Sequence, residues 1–292
     1  MNEQEPEVTG FFDPATSTVS YLVCDPAGDG AMIVDPVLDY DWKAGRTSTR
    51  SVEAIVAAAA GKRVEWIVET HPHADHLSGA QWLRDRLGAR IAIGAGIVDV
   101  QKAWAPLLDV EAGFRQDGSQ FDRLLRDGET FTVGSLRATV MDTPGHTPAC
   151  TTLVVEGKGG RKHVFVGDTL FMPDFGTART DFPGGSARTL YRSIRKILAL
   201  PDDTRLFTAH DYQPGGRALA YETSVREQRA ANVHVRDGIG EDEYVAMREA
   251  RDRKLEAPNL LLPSIQVNIR AGQLPPPAEN GTRYLKIPLD RV

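Results

Sequence analysis

Residues 64–80, "VEWIVETHPHADHLSGA", decide how this chain is read. Val64–Glu69 is a short apolar run of strand character, and three histidines and an aspartate follow within six positions, His71 to His76. Gly79 then opens a helical pattern that runs to Leu87 and stops at Gly88. A strand ending on clustered imidazoles and a carboxylate, with a helix behind it, sets metal-binding side chains at the rim of a sheet. Zinc, iron and manganese all accept such donors, so the cluster alone leaves the metal open.

The same arrangement recurs downstream. His146 lies in "DTPGHTPAC" (142–150), Asp168 in "FVGDTLF" (165–171) and His210 in "TAHDY" (208–212), each beside a short apolar strand. Five of the seven histidines, with Asp75 and Asp168, therefore share a strand-end setting. A set of unrelated capping or core histidines does not account for that repetition. His163 and His234 sit among charged residues and read as ordinary surface or edge histidines.

Around these loops the periodicities are clear. Thr18–Asp25 and Ala31–Pro36 are β-rich runs about the turn "PAGDG", and "ETFTVGSLRATVMD" (129–142) is a second hairpin. Thr49–Ala60 has helical spacing, and "RIAI" (90–93) is a strand. "CTTLVVE" and "HVFVGD" are strands flanking "GKGGRK". Ser186–Leu200 is an amphipathic helix with Leu190, Ile194, Ile197 and Leu198 on one face. "RLFTAHD" is the last strand of the core. Strand pairs followed by alternating strands and helices, in two passes, predict two sheets stacked face to face with helices outside, an αββα sandwich.

Past Tyr212 the character changes. Residues 218–232 and 241–254 look helical and charged, and "LLLPSIQVNIRAG" and "LPPPAENG" follow. Residues 1–212 are expected to form a catalytic core and 213–292 an extension. Its apolar runs need a surface, either the core or a second copy in a homodimer.

Composition narrows the partners. The chain has 292 residues, 25% of them charged, and a formal charge of −6, with Lys and Arg spread along its length. That argues against nucleic acid or an anionic membrane as partner. The opening "MNEQEPEVTG" has no apolar core and does not read as a secretory signal, and the longest apolar run, Ala54–Ala60, is too short to span a bilayer. Cys24 and Cys150 give no disulfide framework and read as buried reduced thiols, for which a cytoplasmic location is expected.

In their order, "THPHADH", "TPGHT", "VGDTLF" and "AHDY" resemble the metal-binding motifs of the metallo-β-lactamase superfamily, over about Phe11 to Tyr212. The resemblance implies the αββα fold reached independently above. The fold hosts hydrolases, nucleases and oxidoreductases, so function must come from the site. On the ligand list alone, His71, His73 and His146 would hold one ion, Asp75, His76 and His210 another, and Asp168 would bridge them. Two Zn2+ ions so placed suit a glyoxalase II-like thioester hydrolase.

Two features resemble another branch, the persulfide dioxygenases (sulfur dioxygenases), in particular bacterial β-lactamase hydrolase-like members. "GTARTDFPGGSARTLYRSIRKIL" (176–198) is similar to that branch's Arg-Thr-Asp-Phe run and Leu-Tyr helix. Cys150 stands four residues after His146, where hydrolytic glyoxalases usually carry histidine. This likeness implies one Fe(2+) per chain on His71, His146 and Asp168, with His73, Asp75, His76 and His210 orienting ligands and water. It implies oxidation of glutathione persulfide by O2 and water to sulfite and glutathione, in sulfide detoxification. Arg179 and Tyr212 are the candidate substrate-binding residues, Arg179 having an ion pair with Asp181, and Tyr212 a place as a core aromatic, as the alternative role. Thr147 is expected to steady the His146 loop, and Arg188 and Arg192 to form a solvated helix face. Ala149 departs from the glycine common in this branch, which matters only if the backbone there needs positive φ. A protein that binds metal or a partner without catalysis is the third reading; the complete ligand set argues against it.

Overall fold

The computed structural model describes residues 5–157 and 159–291. Met1–Gln4, part of the stretch read as lacking a secretory signal, and Lys158 of the glycine-rich loop lie outside the described residues.

The first half builds one sheet. Its elements are β1 (Glu7–Asp13), β2 (Thr18–Cys24), β3 (Gly30–Val34), β4 (Val37–Asp41), β5 (Arg46–Ser48), α1 (Arg50–Ala58), β6 (Arg63–Glu69), β7 (Leu77–Ser78), α2 (Ala80–Leu87), β8 (Arg90–Gly94), α3 (Ile97–Trp104) and β9 (Arg123–Leu125). The order is β1-β2-β3-β6-β8-β9, with β4, β5 and β7 in a small separate sheet. The first three strands pair antiparallel, and β3, β6, β8 and β9 run parallel. Helices α1 and α2 supply the crossovers that parallel strands require.

The second half repeats the plan with β10 (Thr130–Val133), β11 (Leu136–Asp142), β12 (Thr151–Glu156), β13 (Lys162–Phe165), α4 (Ala187–Leu198), β14 (Arg205–Phe207) and β15 (Glu222–Ser224), in that order across the sheet. After β15 come α5 (Val225–Ala231), α6 (Glu241–Asp252) and α7 (Leu261–Asn268). The core does not end at "RLFTAHD": β15 adds an antiparallel edge strand through Arg205↔Ser224. Part of the segment expected to be helical over 218–232 is thus extended, and only Val225–Ala231 is helix.

Alternation along β2 shows how the layers form. Val19, Tyr21 and Val23 face Phe131, Val140, Phe165 and Phe207 of the second sheet, whereas Leu22 and Cys24 face α1, α2 and α3 through Ile55, Leu83 and Val100. On the outer face of the second sheet, Val154, Val164 and Leu206 meet Leu190, Ile194 and Ile197 of α4. A period of two places successive side chains on opposite faces, so both sheets are buried on both sides. The result is the αββα sandwich. Ser186 caps α4, its side chain accepting the Thr189 N–H at 3.2 Å.

The extension closes on the same chain. Tyr244 of α6 packs into the α4 layer, and Leu261, Ile265 and Ile269 join the cluster beneath α1–α3. The apolar run of α7 is thus covered by the core, whereas Leu274, Tyr284, Ile287 and Leu289 of the tail stay exposed. Arg188 and Arg192 are exposed, as expected of a solvated helix face, and there both pair with Glu241, Arg188 also with Asp242. His163 and His234 are buried, at 0% and 7% exposure, contrary to the sequence reading. His163 stacks on Phe207 and takes a 2.8 Å contact from Arg205 Nη1, and His234 lies under Gly176. No helix of the described residues is long and apolar enough to cross a membrane.

Candidate metal centre

The strand-end loops converge at one rim of the sandwich. β6 delivers Thr70–His76, the turn before β12 delivers His146, β13 runs into Asp168, and β14 into His210. His71, His146 and Asp168 offer ligand atoms that all lie within 4.8 Å of one another, and all three are buried. Asp168 Oδ2 lies 3.6 Å from His71 Nε2 and 3.7 Å from His146 Nε2. His73, Asp75 and His76 form a second such group. His210 Nε2 stands between the two, 3.2 Å from Asp168 Oδ1 and 3.4 Å from Asp75 Oδ2. All seven residues expected from the sequence are therefore together.

Several of their polar atoms have no hydrogen-bond partner although they are buried: His71 Nε2, His76 Nε2, His210 Nε2 and Asp168 Oδ1. Leaving such groups unpaired is costly, and metal binding at this rim would supply missing partners. The donor chemistry thus fits a metal.

The other edges of the rings are anchored. His146 Nδ1 donates to the Arg179 carbonyl at 2.8 Å, and His210 Nδ1 to the Ser17 carbonyl at 3.2 Å. A carbonyl only accepts, so each Nδ1 carries a proton, and Nε2 is the nitrogen of each ring that a metal would take in the neutral form. His71 Nδ1 contacts Thr70 Oγ1 at 3.0 Å, and Thr70 is itself held by Asp35 through its N–H (2.7 Å) and hydroxyl (2.8 Å).

Electrostatics separate the histidines. Burial, reinforced by the neighbouring His73, pushes His71 well below the usual imidazole range, which favours the neutral ligand form. Burial also opposes charge on His73, but Asp35 at 3.0 Å and Glu69 at 3.4 Å outweigh it and raise His73 well above that range. For Asp168 burial disfavours ionisation, yet His210 and His71 hold its carboxyl well below the usual carboxylate range. The same opposition, with His210 and His76 as partners, holds Asp75 low.

Around the centre lies a cleft of about 290 Å3, walled by Phe171, Phe175, Phe182 and Tyr212 and reaching Asp168 and His146. Tyr212 belongs to this wall rather than to the core: it is 41% exposed and stacks on Phe175 at 4.4 Å between ring centres. Arg179 lines the cleft too, but its guanidinium is committed, in two bonds of 2.6 and 2.7 Å to Asp181 and one of 2.7 Å to the Glu256 carbonyl. The ion-pair role weighed for it is the one present. Cys150 is a free, buried thiol pushed up to about 12 by burial, and it contacts the Thr147 hydroxyl at 3.2 Å. It latches the His146 turn and is a poor nucleophile. Ala149 is not among the residues with positive φ, so that departure needs no glycine.

Three groups near the centre escaped the sequence reading. Asp35 is a strand-end carboxylate in "AMIVDP", and the logic that selected Asp168 would have found it. Thr18, whose hydroxyl lies 3.2 Å from Asp75 Oδ2, and Asn268, whose amide donates to the His73 and His76 carbonyls at 2.8 Å, carry no local signal.

Fold and site together define a His/Asp metal-binding rim on an αββα sandwich, and the chain belongs to the metallo-beta-lactamase superfamily, whose model matches residues 13–210. Within it, the chain is 56% identical over 292 residues to a probable metallo-hydrolase of Burkholderia pseudomallei (strain 1710b), covering 98% of this chain and 99% of that protein. It is 53% identical to a beta-lactamase hydrolase-like protein of Agrobacterium fabrum, matching 98% of this chain but 65% of that protein's length. The mitochondrial persulfide dioxygenase ETHE1 of Homo sapiens is 30% identical over 270 residues, 92% of this chain and 89% of that one. Among solved structures, ETHE1 from Myxococcus xanthus superposes with a TM-score of 0.71 at 27% identity, covering 91% of this chain and all (100%) of that one.

Proposed function

We propose that this chain is a mononuclear iron(II) dioxygenase that oxidises glutathione persulfide with O2 and water to sulfite and glutathione. The observation that carries the reading is the group formed by His71, His146 and Asp168, two imidazoles and one carboxylate with ligand atoms within 4.8 Å. That donor set suits non-haem iron(II) with positions left open for substrates. The similarity to human persulfide dioxygenase over 92% of the chain supports the same reading. When bound, iron(II) supplies electron exchange with O2, which zinc cannot.

The protein's own part is to bind and orient. The Arg179 and Ser17 carbonyls hold His146 and His210 with Nε2 towards the centre. Phe171, Phe175, Phe182 and Tyr212 would give an entering persulfide an apolar flank, and an apolar surround strengthens electrostatic contacts within it. Arg179 is occupied by Asp181, so we assign recognition of a glutathione carboxylate to Arg251, an exposed residue on the same cleft.

A dinuclear zinc thioester hydrolase is the second reading. It draws support from the set expected to hold the second ion: His210 lies between Asp75 and Asp168, and His76 Nε2 is buried without a partner. Protein reconstituted anaerobically with one equivalent of iron(II) should take up O2 and release sulfite when glutathione persulfide is added. No uptake, together with hydrolysis of a glutathione thioester after zinc loading, would establish the hydrolase instead.

A further inference from the structure

α6 carries a buried ion pair that the metal centre does not use directly. Arg248 and Asp252 are 1% and 5% exposed, and they bond one turn apart, Arg248 Nε to Asp252 Oδ1 at 2.9 Å. A buried pair of this kind is seldom worth more to stability than apolar residues of the same size. It does supply directional hydrogen bonds, and here these go to one loop. Arg248 Nη1 donates to the Thr177 carbonyl at 3.0 Å, and Asp252 Oδ2 accepts the Thr180 N–H at 2.9 Å and hydroxyl at 3.0 Å.

The Thr180 N–H and the Arg179 C=O belong to a single peptide group. The chain has no cis peptide bonds among the described residues, so these two dipoles point in opposite directions from one rigid plane. Asp252 therefore holds the plane from behind, and the Arg179 carbonyl meets His146 Nδ1 in front at 2.8 Å. Hydrogen bonds in series polarise one another, so a carboxylate on the N–H makes the carbonyl a better acceptor. Metal-bound histidines commonly donate their second nitrogen to a carboxylate or carbonyl. This arrangement places a carboxylate one peptide unit further away.

We propose that Asp252, set by Arg248, is a positioning residue for His146, acting across the 179–180 peptide to fix the ring's tautomer and direction. The proposal rests on His146 holding the metal, whichever reaction follows. Asp252→Ala should weaken zinc(II) binding, titrated against a chromophoric chelator, by about tenfold to a hundredfold, with Asp252→Asn in between. In zinc-loaded protein labelled with 15N-histidine, the His146 Nδ1–H resonance should move upfield in both variants, a change that a merely structural role would not produce. If Asp252→Ala does not fold, the isosteric Asp252→Asn carries both readouts alone. Unchanged affinity and an unmoved His146 resonance in Asp252→Asn would overturn the proposal. His146→Ala separates the causes. If it loses zinc while the Asp252 variants do not, this relay alone is wrong; if it retains zinc, the ligand assignment fails and the relay with it.

Discussion

His234 is held in one tautomer. Its Nδ1 accepts the Thr177 N–H at 3.1 Å, so that nitrogen carries no proton, and protonation would break the bond. Burial, with Arg248 and Arg251 nearby, pushes the imidazole down to about 4. The folded value lies below the ordinary value near 6.5, so the stabilisation is complete above about pH 6.5 and is lost as pH falls towards 4. His234→Gln keeps an acceptor but cannot titrate. The variant should be less stable than the parent at pH 7, and the gap should narrow on acidification to pH 4.5, as read from denaturant midpoints. A gap that stays constant would remove His234 as the group responsible. Its charged neighbours in sequence made this residue look superficial. Burial comes instead from Gly176, whose φ of +101° leaves no room for a Cβ against the His234 ring, and that contact spans a separation no local pattern reports.

At the level of elements, the core was legible because each sheet is buried on both faces and each strand is bounded by turn residues. The Ser186–Leu200 pattern became α4 over Ala187–Leu198, with Leu190, Ile194, Ile197 and Leu198 all buried. The misses have physical causes. β15 is three residues, "ETS", recruited to the edge by pairing with β14 rather than by its own propensity. α7 is apolar on most sides and carries Pro263 in its first turn, which a helix tolerates but which hides the pattern. α7 nevertheless reaches the metal centre, because Asn268 accepts the Ser78 N–H at 2.8 Å while donating to the His73 and His76 carbonyls. Asn268→Ala leaves three buried backbone groups without partners, at about 1–3 kcal/mol for each group that water does not reach. The Ser78 amide should then exchange with deuterium faster than in the parent, relative to amides of β2. Asn268→Asp keeps the acceptor for Ser78 but loses both donations, and should fall between. Equal protection of Ser78 in all three proteins would mean that α7 does not brace this loop.

Over the whole molecule, the ligand-bearing loops come from both halves of the sandwich, and the extension then fastens two of them, through Asn268 and through Asp252. That is why the metal-binding residues could be read from strand ends, whereas the residues that aim them could not. The former follow short apolar runs, and the latter are fixed by tertiary contacts whose partners no local pattern reports, even where, as in α6, the helix itself was legible. The two donor groups also give the two readings different consequences for the same substitution. His71, His146 and Asp168 share no residue with His73, Asp75 and His76. On the mononuclear reading, His76→Ala and His210→Ala should each retain one iron per chain and part of the persulfide-dependent oxygen uptake, since both residues only orient groups around that ion. On the dinuclear reading either change removes a zinc ligand, and hydrolysis and the second metal should disappear together. Zinc lies above iron in the divalent affinity order, so overexpression without control of metal supply can load zinc whichever reading holds. The comparison therefore requires stripped protein, reloaded anaerobically with iron(II) and separately with zinc(II), and metal analysis alongside each rate. Retained iron with partial oxygen uptake in both variants would support the dioxygenase, and loss of all activity with loss of one metal in either would replace it with the hydrolase.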